Sequence, residues 1–339
     1  MSSLSTNDES HQLRTIWGGM VLLLLLVTYA SLSFGTGDLN DATMGDDYLR
    51  LRGYRLVNSL LAGAALSVGG VLVQGLFRNP LASPSILGTT AGASLGGVVV
   101  LMVWNVLLAT WIPPWLPAEL VLPFGCVLGA SLSLLVLLYV TRHSKSMVSV
   151  LLTGFILSSL FLAIGSLLLS LAQDTFELGR AVVAFTLGGV ETKGLTHIAF
   201  ALPLVVIGSS AAFSWSTSLD VLLSGEEEAQ SLGVDIPLIR RWAIVWTAVL
   251  TGAAVAIGGN LAFVGLVVPH ALRPYVGVRH SRLFPASLVG GAIFVAGADL
   301  LIRLLPVEGT IPLGVITGLV GAPVFLLLLK KNLAGGDFA

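Results

Sequence analysis

Apolar residues in this chain come in blocks of roughly twenty, the length of helix that crosses about 30 Å of hydrocarbon at 1.5 Å per residue. Runs such as Val21 to Val27 and Leu132 to Val140 do not alternate polar with apolar residues, as the strands of a membrane barrel would. Helices are therefore expected throughout. Composition agrees, since 55% of residues are hydrophobic and 10% charged, against about 25% charged in soluble domains. So few charges cannot cover a water-facing surface.

A net charge of −1 gives no case for a nucleic-acid partner. The single cysteine, Cys126, excludes an internal disulfide and sits in an apolar run, where it reads as a small buried hydrophobe. No cysteine–histidine spacing suggests a metal site. At the N-terminus a polar tail, residues 1–15, precedes the apolar stretch Ile16 to Phe34. Thr28-Tyr29-Ala30 offers small residues near a possible signal cleavage position. The stretch is long enough to span, so it is read as a retained first helix.

Helices are expected at roughly 16–34, 56–77, 90–111, 120–140, 148–172, 196–215, 242–259, 261–276, 284–305 and 312–329. The stretch from Arg241 to Val276 stays open between one long helix and two broken at Gly258-Gly259-Asn260. Lys and Arg concentrate in cytoplasmic loops. With ten helices and a cytoplasmic N-terminus, Arg14, Arg78, Arg142, Lys145, Arg240, Arg241, Arg273, Arg279, Arg282, Lys330 and Lys331 fall inside. Arg50, Arg52, Arg55, Arg180, Lys193 and Arg303 fall outside. Nine helices would turn Lys330-Lys331 outward, so ten is the expected count. One membrane domain, 16–330, then lies between cytoplasmic tails at 1–15 and 331–339.

Leu61 to Gly70 aligns with Leu250 to Gly259 at an offset of 189, with six of ten positions identical, and Pro80 meets Pro269 at the same offset. On this topology the two segments run in opposite directions, which suggests two inverted-repeat halves, a common transporter plan. Chance matching of small-residue packing stretches is the alternative. The longest cytoplasmic loop, 216–241, carries Leu219, Leu222 and Leu223 at helical spacing. Gly225 follows, then Glu226 to Leu232, then Gly233. Two short exposed helices there suit a docking surface.

Several segments together resemble a known family. Arg78-Asn-Pro-Leu-Ala-Ser-Pro84 with Ile86-Leu-Gly88, Phe263-Val-Gly-Leu-Val-Val-Pro-His270, Ala298-Asp299 with Arg303, and Pro312 to Pro323 are similar to hallmarks of FecCD-type permeases. So is Gly225-Glu226 with Ala229 and Leu232-Gly233. The resemblance runs in order from about Arg52 to Leu329. It implies the membrane subunit of an ATP-driven importer for iron–siderophores, haem or vitamin B12, expected as a homodimer around a central pathway. Two ATPase subunits and one extracytoplasmic binding protein would complete the complex in a bacterial inner membrane. ATP and Mg would sit on the ATPase, no cofactor being expected on this chain, which lacks a Gly-x-x-x-x-Gly-Lys-Ser/Thr loop.

The resemblance also assigns residues. Arg52, Arg55 and Arg303 are expected to dock the binding protein, arginine being suited to bidentate carboxylate recognition. Gly53-Tyr54 departs from the family's Leu-Pro there. Asp299 lies four residues before Arg303, so a structural ion pair at the helix end is expected as well. Asn79 and Leu81 are expected at a cytoplasmic constriction, or else at a simple helix stop imposed by Pro80. Ser146 and Met147 match a second gate. Leu219, Leu222, Gly225, Glu226, Glu227, Glu228, Leu232 and Gly233 are expected to couple to the ATPase. His270 reads as structural rather than as a haem ligand.

Two other classes fit the sequence less well. An intramembrane aspartyl protease needs a pair of carboxylates sharing a proton, and Asp299 alone is expected at membrane depth. A stand-alone ion-coupled transporter would show buried carboxylates or histidines along an ion path, and it leaves the structured loop without a purpose. An iron chelate is the expected cargo, with cobalamin as the alternative.

Overall fold

The computed structural model describes residues 6–35, 37–39, 41, 43–103, 118–142, 147–173, 176–305 and 311–335. These residues form thirteen helices and no strand. In chain order they are α1 (Thr6–Ser33), α2 (Gly45–Leu76), α3 (Thr89–Val103), α4 (Ala118–Thr141), α5 (Met147–Ala172), α6 (Phe176–Leu187) and α7 (Leu195–Ser214). Then come α8 (Ser216–Leu223), α9 (Glu226–Ser231), α10 (Ile236–Gly258), α11 (Val264–Val276), α12 (His280–Leu304) and α13 (Leu313–Gly335).

Eight of them are long and apolar enough to cross a membrane: α1, α2, α4, α5, α7, α10, α12 and α13. The shorter α3 and α11 occupy the remaining two expected positions. All-helical, multi-pass architecture is therefore what the sequence pattern encodes.

The stretch from Arg241 to Val276 resolves as two helices. Gly259 takes φ +69°, and a Cβ there would lie 2.6 Å from the Phe185 carbonyl oxygen, so only glycine fits the break. Phe263 also turns left-handed, at φ 63°, before α11 begins. Helix α6 was not expected. Glu177 and Arg180 make it too polar, and its 12 residues too few, to stand out among apolar blocks of spanning length. Both α1 and α2 also start about ten residues earlier than expected. Asp46 and Asp47 in the first turn of α2 favour its start electrostatically, a signal unrelated to hydropathy.

Helix α2 is the centre of the bundle, buried along most of its apolar window, with α10 and α12 packed on it. Lipid offers little driving force to bring apolar helices together, so close packing through small residues must do it. The sequence Ala62-Gly63-Ala64-Ala65 lets that happen: a methyl added to Gly63 would overlap the Gly291 carbonyl of α12. Likewise a methyl on Gly70 would overlap Gly265 of α11. The two echoing segments, on α2 and α10, lie side by side. Their neighbours exchange between halves: α2 packs on α12 as α10 packs on α4, and α3 packs on α4 as α11 packs on α12.

Candidate functional site

Those candidate residues that are described lie toward the two ends of the bundle. At one end, helix α1 finishes with carbonyls that its own backbone cannot satisfy. Arg52 of α2 reaches them: Nη1 donates to Leu32 and Ser33 oxygens at 2.9 and 2.8 Å, and Nη2 to Gly35 and Gly37 oxygens at 3.1 and 2.7 Å. Arg303 of α12 adds bonds from Nη1 to Ser31 O at 2.7 Å and Phe34 O at 3.1 Å. Two cations at a helix C-terminus also complement its dipole. Arg52 is thereby 6% exposed, so its guanidinium works inside the chain rather than standing bare for a partner.

Asp299, 1% exposed, is a buried anion at this end. Arg55 Nε donates to its Oδ1 at 2.8 Å, and Arg303 Nη2 lies 3.0 Å from Oδ2. The Arg303 contact is an ion pair without hydrogen-bond alignment. A carboxylate this buried needs such compensation. Arg55 keeps 18% of its side chain exposed, the most of the three expected docking arginines.

The segment after α2 turns sharply. Arg78 adopts φ 48°, the Asn79 N–H donates to Gln74 O at 3.1 Å, and Asn79 Oδ1 accepts the Leu81 N–H at 2.8 Å. Asn79 therefore supplies the partner that Pro80 and the helix stop would otherwise leave missing. The turn rests on α4 and α5: Ser133 Oγ donates to Gly88 O at 2.8 Å, and a Cβ on Gly154 would lie 2.5 Å from Ile86 O. Asn79 and Leu81 are half-buried there. Ser146 lies outside the described residues, as does the side chain of Met147, whose backbone opens α5.

At the opposite end α8 and α9 form the two short helices of the loop. Gly225 (φ 134°) and Gly233 (φ 82°) make the turns that bound α9. Leu219 is 0% and Leu222 2% exposed, so both face into the bundle. They anchor the loop to the bundle. Helical spacing puts them on one face but does not say which way that face points. The outward set is Leu223, Glu226, Glu227, Glu228 and, 70% exposed, Leu232. Glu226 Oε1 accepts from Arg240 at 3.1 Å.

Sequence reading missed two polar joints. Asp220 of α8 accepts the backbone N–H of His280 at 2.7 Å, and the same oxygen lies 2.7 Å from His280 Nδ1. Burial alone would raise the Asp220 pKa; the His280 hydrogen bonds outweigh it and hold the carboxyl below the usual range. Gln74 of α2 joins α11 at both its ends, accepting from Arg273 at 2.6 Å and donating to Gly265 O at 3.3 Å. No local signal could pair positions 60 or 199 residues apart. His270 is buried edge-on to Phe325, ring centroids 5.9 Å apart. Among the described residues no group of three or more His, Cys, Asp or Glu could hold a metal ion.

Known proteins resemble this chain in sequence and in fold. The sequence profile of the FecCD transport family matches residues 20–331. The Fe(3+) dicitrate transport system permease protein FecD of Escherichia coli is 38% identical over 290 residues, covering 84% of this chain and 86% of that one. The cobalamin import system permease protein BtuC of Halobacterium salinarum is 32% identical over 329 residues, covering 97% and 84%. A solved chain from a transporter assigned to the metal-chelate ABC type, in an inward-facing conformation, superposes with TM-score 0.80 at 30% identity, covering 94% of this chain and 99% of that one. With the match spanning nearly its whole length, this chain belongs to the FecCD transport family.

Proposed function

We propose that this chain is the membrane-spanning subunit of an ATP-driven importer that passes an iron chelate from a binding protein to the cytoplasm by alternating access. The observation that carries the reading is the α8–α9 pair. It is clamped to the bundle by Leu219 and Leu222 while presenting Leu223, Glu226, Glu227, Glu228 and Leu232 outward. An apolar-and-acidic knob of this kind fits a groove with basic rims on an ATPase subunit, which would carry ATP and Mg. A transporter driven by an ion gradient has no use for it.

The binding protein would dock at the arginine end. Arg55 is the best placed of the three arginines for its carboxylates, while Arg52 and Arg303 hold the underlying shape. Asn79 and Leu81, with Ser146 and Met147, would form the constriction. Much apolar surface on α5, including Leu152, Phe155, Ile156 and Leu167, is exposed in the single chain and suits a second copy across a central pathway, or lipid. Both termini would be cytoplasmic, in the inner membrane. Iron chelate is preferred because FecD and the metal-chelate neighbour carry such names. Cobalamin is the second reading, favoured by the similarity to BtuC over nearly the whole chain.

Affinity purification from the native membrane in mild detergent tests subunit composition. Two copies of this chain with two ATPase subunits are expected. Reproducible isolation without an ATPase, under conditions that keep a known importer intact, would point instead to a gradient-driven transporter.

A further inference from the structure

His280 opens α12, and its backbone N–H is one of the donors a helix start leaves without an internal partner. The N-cap residue, Arg279, makes no side-chain capping bond. Asp220 of α8 supplies the cap instead, from 60 positions away, through Oδ1 at 2.7 Å. That oxygen also lies 2.7 Å from His280 Nδ1, which donates to it when it carries the proton. The side chain is 3% exposed, and the far edge of the imidazole bears on α2: a Cβ on Gly75 would stand 2.5 Å from Nε2. One carboxylate therefore joins α8 to α12, and one ring extends the joint to α2.

From this joint α2 and α12 run side by side to the other end. At the middle they meet backbone to backbone at Gly63 and Gly291. At the far end Arg55 of α2 and Arg303 of α12 share Asp299. His280 and Asp299 are 19 residues apart, about 28 Å of helix. A pair fixed at both ends and in backbone contact between them moves as one body, because packed interfaces do not deform continuously.

We propose that Asp220 is a positioning residue of transport: its bond to His280 converts displacement of α8 into rigid movement of the α2–α12 pair, and so of the Arg55–Asp299–Arg303 cluster. Burial of Leu219 and Leu222 holds α8 against the bundle but is non-directional. The Asp220 bonds fix where α8 pulls and in which direction. The proposal rests on the importer reading above, in which α8 is moved by an ATPase.

The test uses the whole complex of this chain with its ATPase, in lipid nanodiscs, carrying Cys126→Ser and Leu51→Cys. Leu51 is exposed near the arginine end of α2. The rate of maleimide labelling at that cysteine is measured with and without ATP plus vanadate, normalised to trapped nucleotide. At least a threefold ATP-dependent change is expected in the parent and in Asp220→Asn, whose amide oxygen still accepts the His280 N–H. Asp220→Ala is expected to lose the change. If that variant fails to assemble, His280→Ala, which keeps the backbone cap but removes the ring against α2, is expected to lose at least half of it. A change that survives undiminished in Asp220→Ala, or in His280→Ala where that variant stands in, overturns the latch and leaves the importer reading intact. No ATP-dependent change in the parent overturns the latch, whereas failure of the chain to hold an ATPase overturns the importer reading.

Discussion

Gly63 of α2 and Gly291 of α12 face each other with no side chain between them, each placed so that an added methyl would overlap the other's carbonyl. The obstacle is backbone on both sides, which cannot rotate away as a side chain would. Gly63→Val should therefore push the two central helices apart and sharply lower the yield of folded protein, as read by size-exclusion chromatography in detergent. Gly53→Ala is the control. It lies on the same helix with open space around it, and a normal elution profile is expected. Equal behaviour of the two variants would contradict the packing.

Asp299 holds two arginines near the far end of that helix pair. Removing one member of a buried ion cluster leaves uncompensated charge, at a cost of about 3–5 kcal/mol. Asp299→Ala should lower the thermal unfolding midpoint by more than Asp47→Ala, which removes an exposed partner of Arg50 at 4.0 Å and one of two acids in the first turn of α2. Similar small shifts for both would show that the cluster is not compensating buried charge.

Arg52 provides four bonds to the end of α1 and the segment after it. Bonds to a charged donor are each worth about 1.5–3 kcal/mol, though four on one side chain do not add. Arg52→Ala should leave the bundle folded but expose residues 34–44 to protease. Protection unchanged from the parent would mean that α1 is held by packing alone.

The Asp220 carboxyl is held below its ordinary value of 3.8 because His280 bonds outweigh its partial burial. A lowered carboxylate contributes stability that is present above the unfolded pKa and is lost as pH falls through the folded one. Amide exchange over 216–231 should therefore rise only as the pH drops below about 4. In Asp220→Ala that acid step should shrink. A step of full size in that variant would assign it to another carboxylate.

Glu226, Glu227 and Glu228 stand on the exposed loop, and only Glu226 has a described salt-bridge partner, Arg240 at 3.1 Å. Exposed pairs contribute about 0–1 kcal/mol, so replacing all three by lysine should spare folding. ATP-dependent uptake should fall at least tenfold. Uptake at the parent rate would remove the loop from the coupling surface.

Much of this architecture is legible in the sequence because its causes are local. Apolar blocks of spanning length mark the long helices. Gly258-Gly259-Asn260 offers the break before α11 as one of two readings, and the leucine spacing with Gly225 and Gly233 marks α8 and α9. The relation of Asp299 to Arg303 is a single helical turn. What escaped depends on three dimensions. Arg55 meets Asp299 across 244 positions and Asp220 meets His280 across 60, with no periodicity linking either pair. Leu219 and Leu222 share a face by spacing, but only the packed bundle shows that the face points inward. Helix α6 is too short and polar to register beside spanning blocks.

The most direct test of the central claim is uptake into proteoliposomes containing this chain, its ATPase and its binding protein, with labelled ferric dicitrate, haem and cobalamin as probes. Import is expected to require ATP hydrolysis, to stop with vanadate and to persist when proton and sodium gradients are collapsed, with an iron chelate carried. Import that continues without ATP and follows an ion gradient would contradict it.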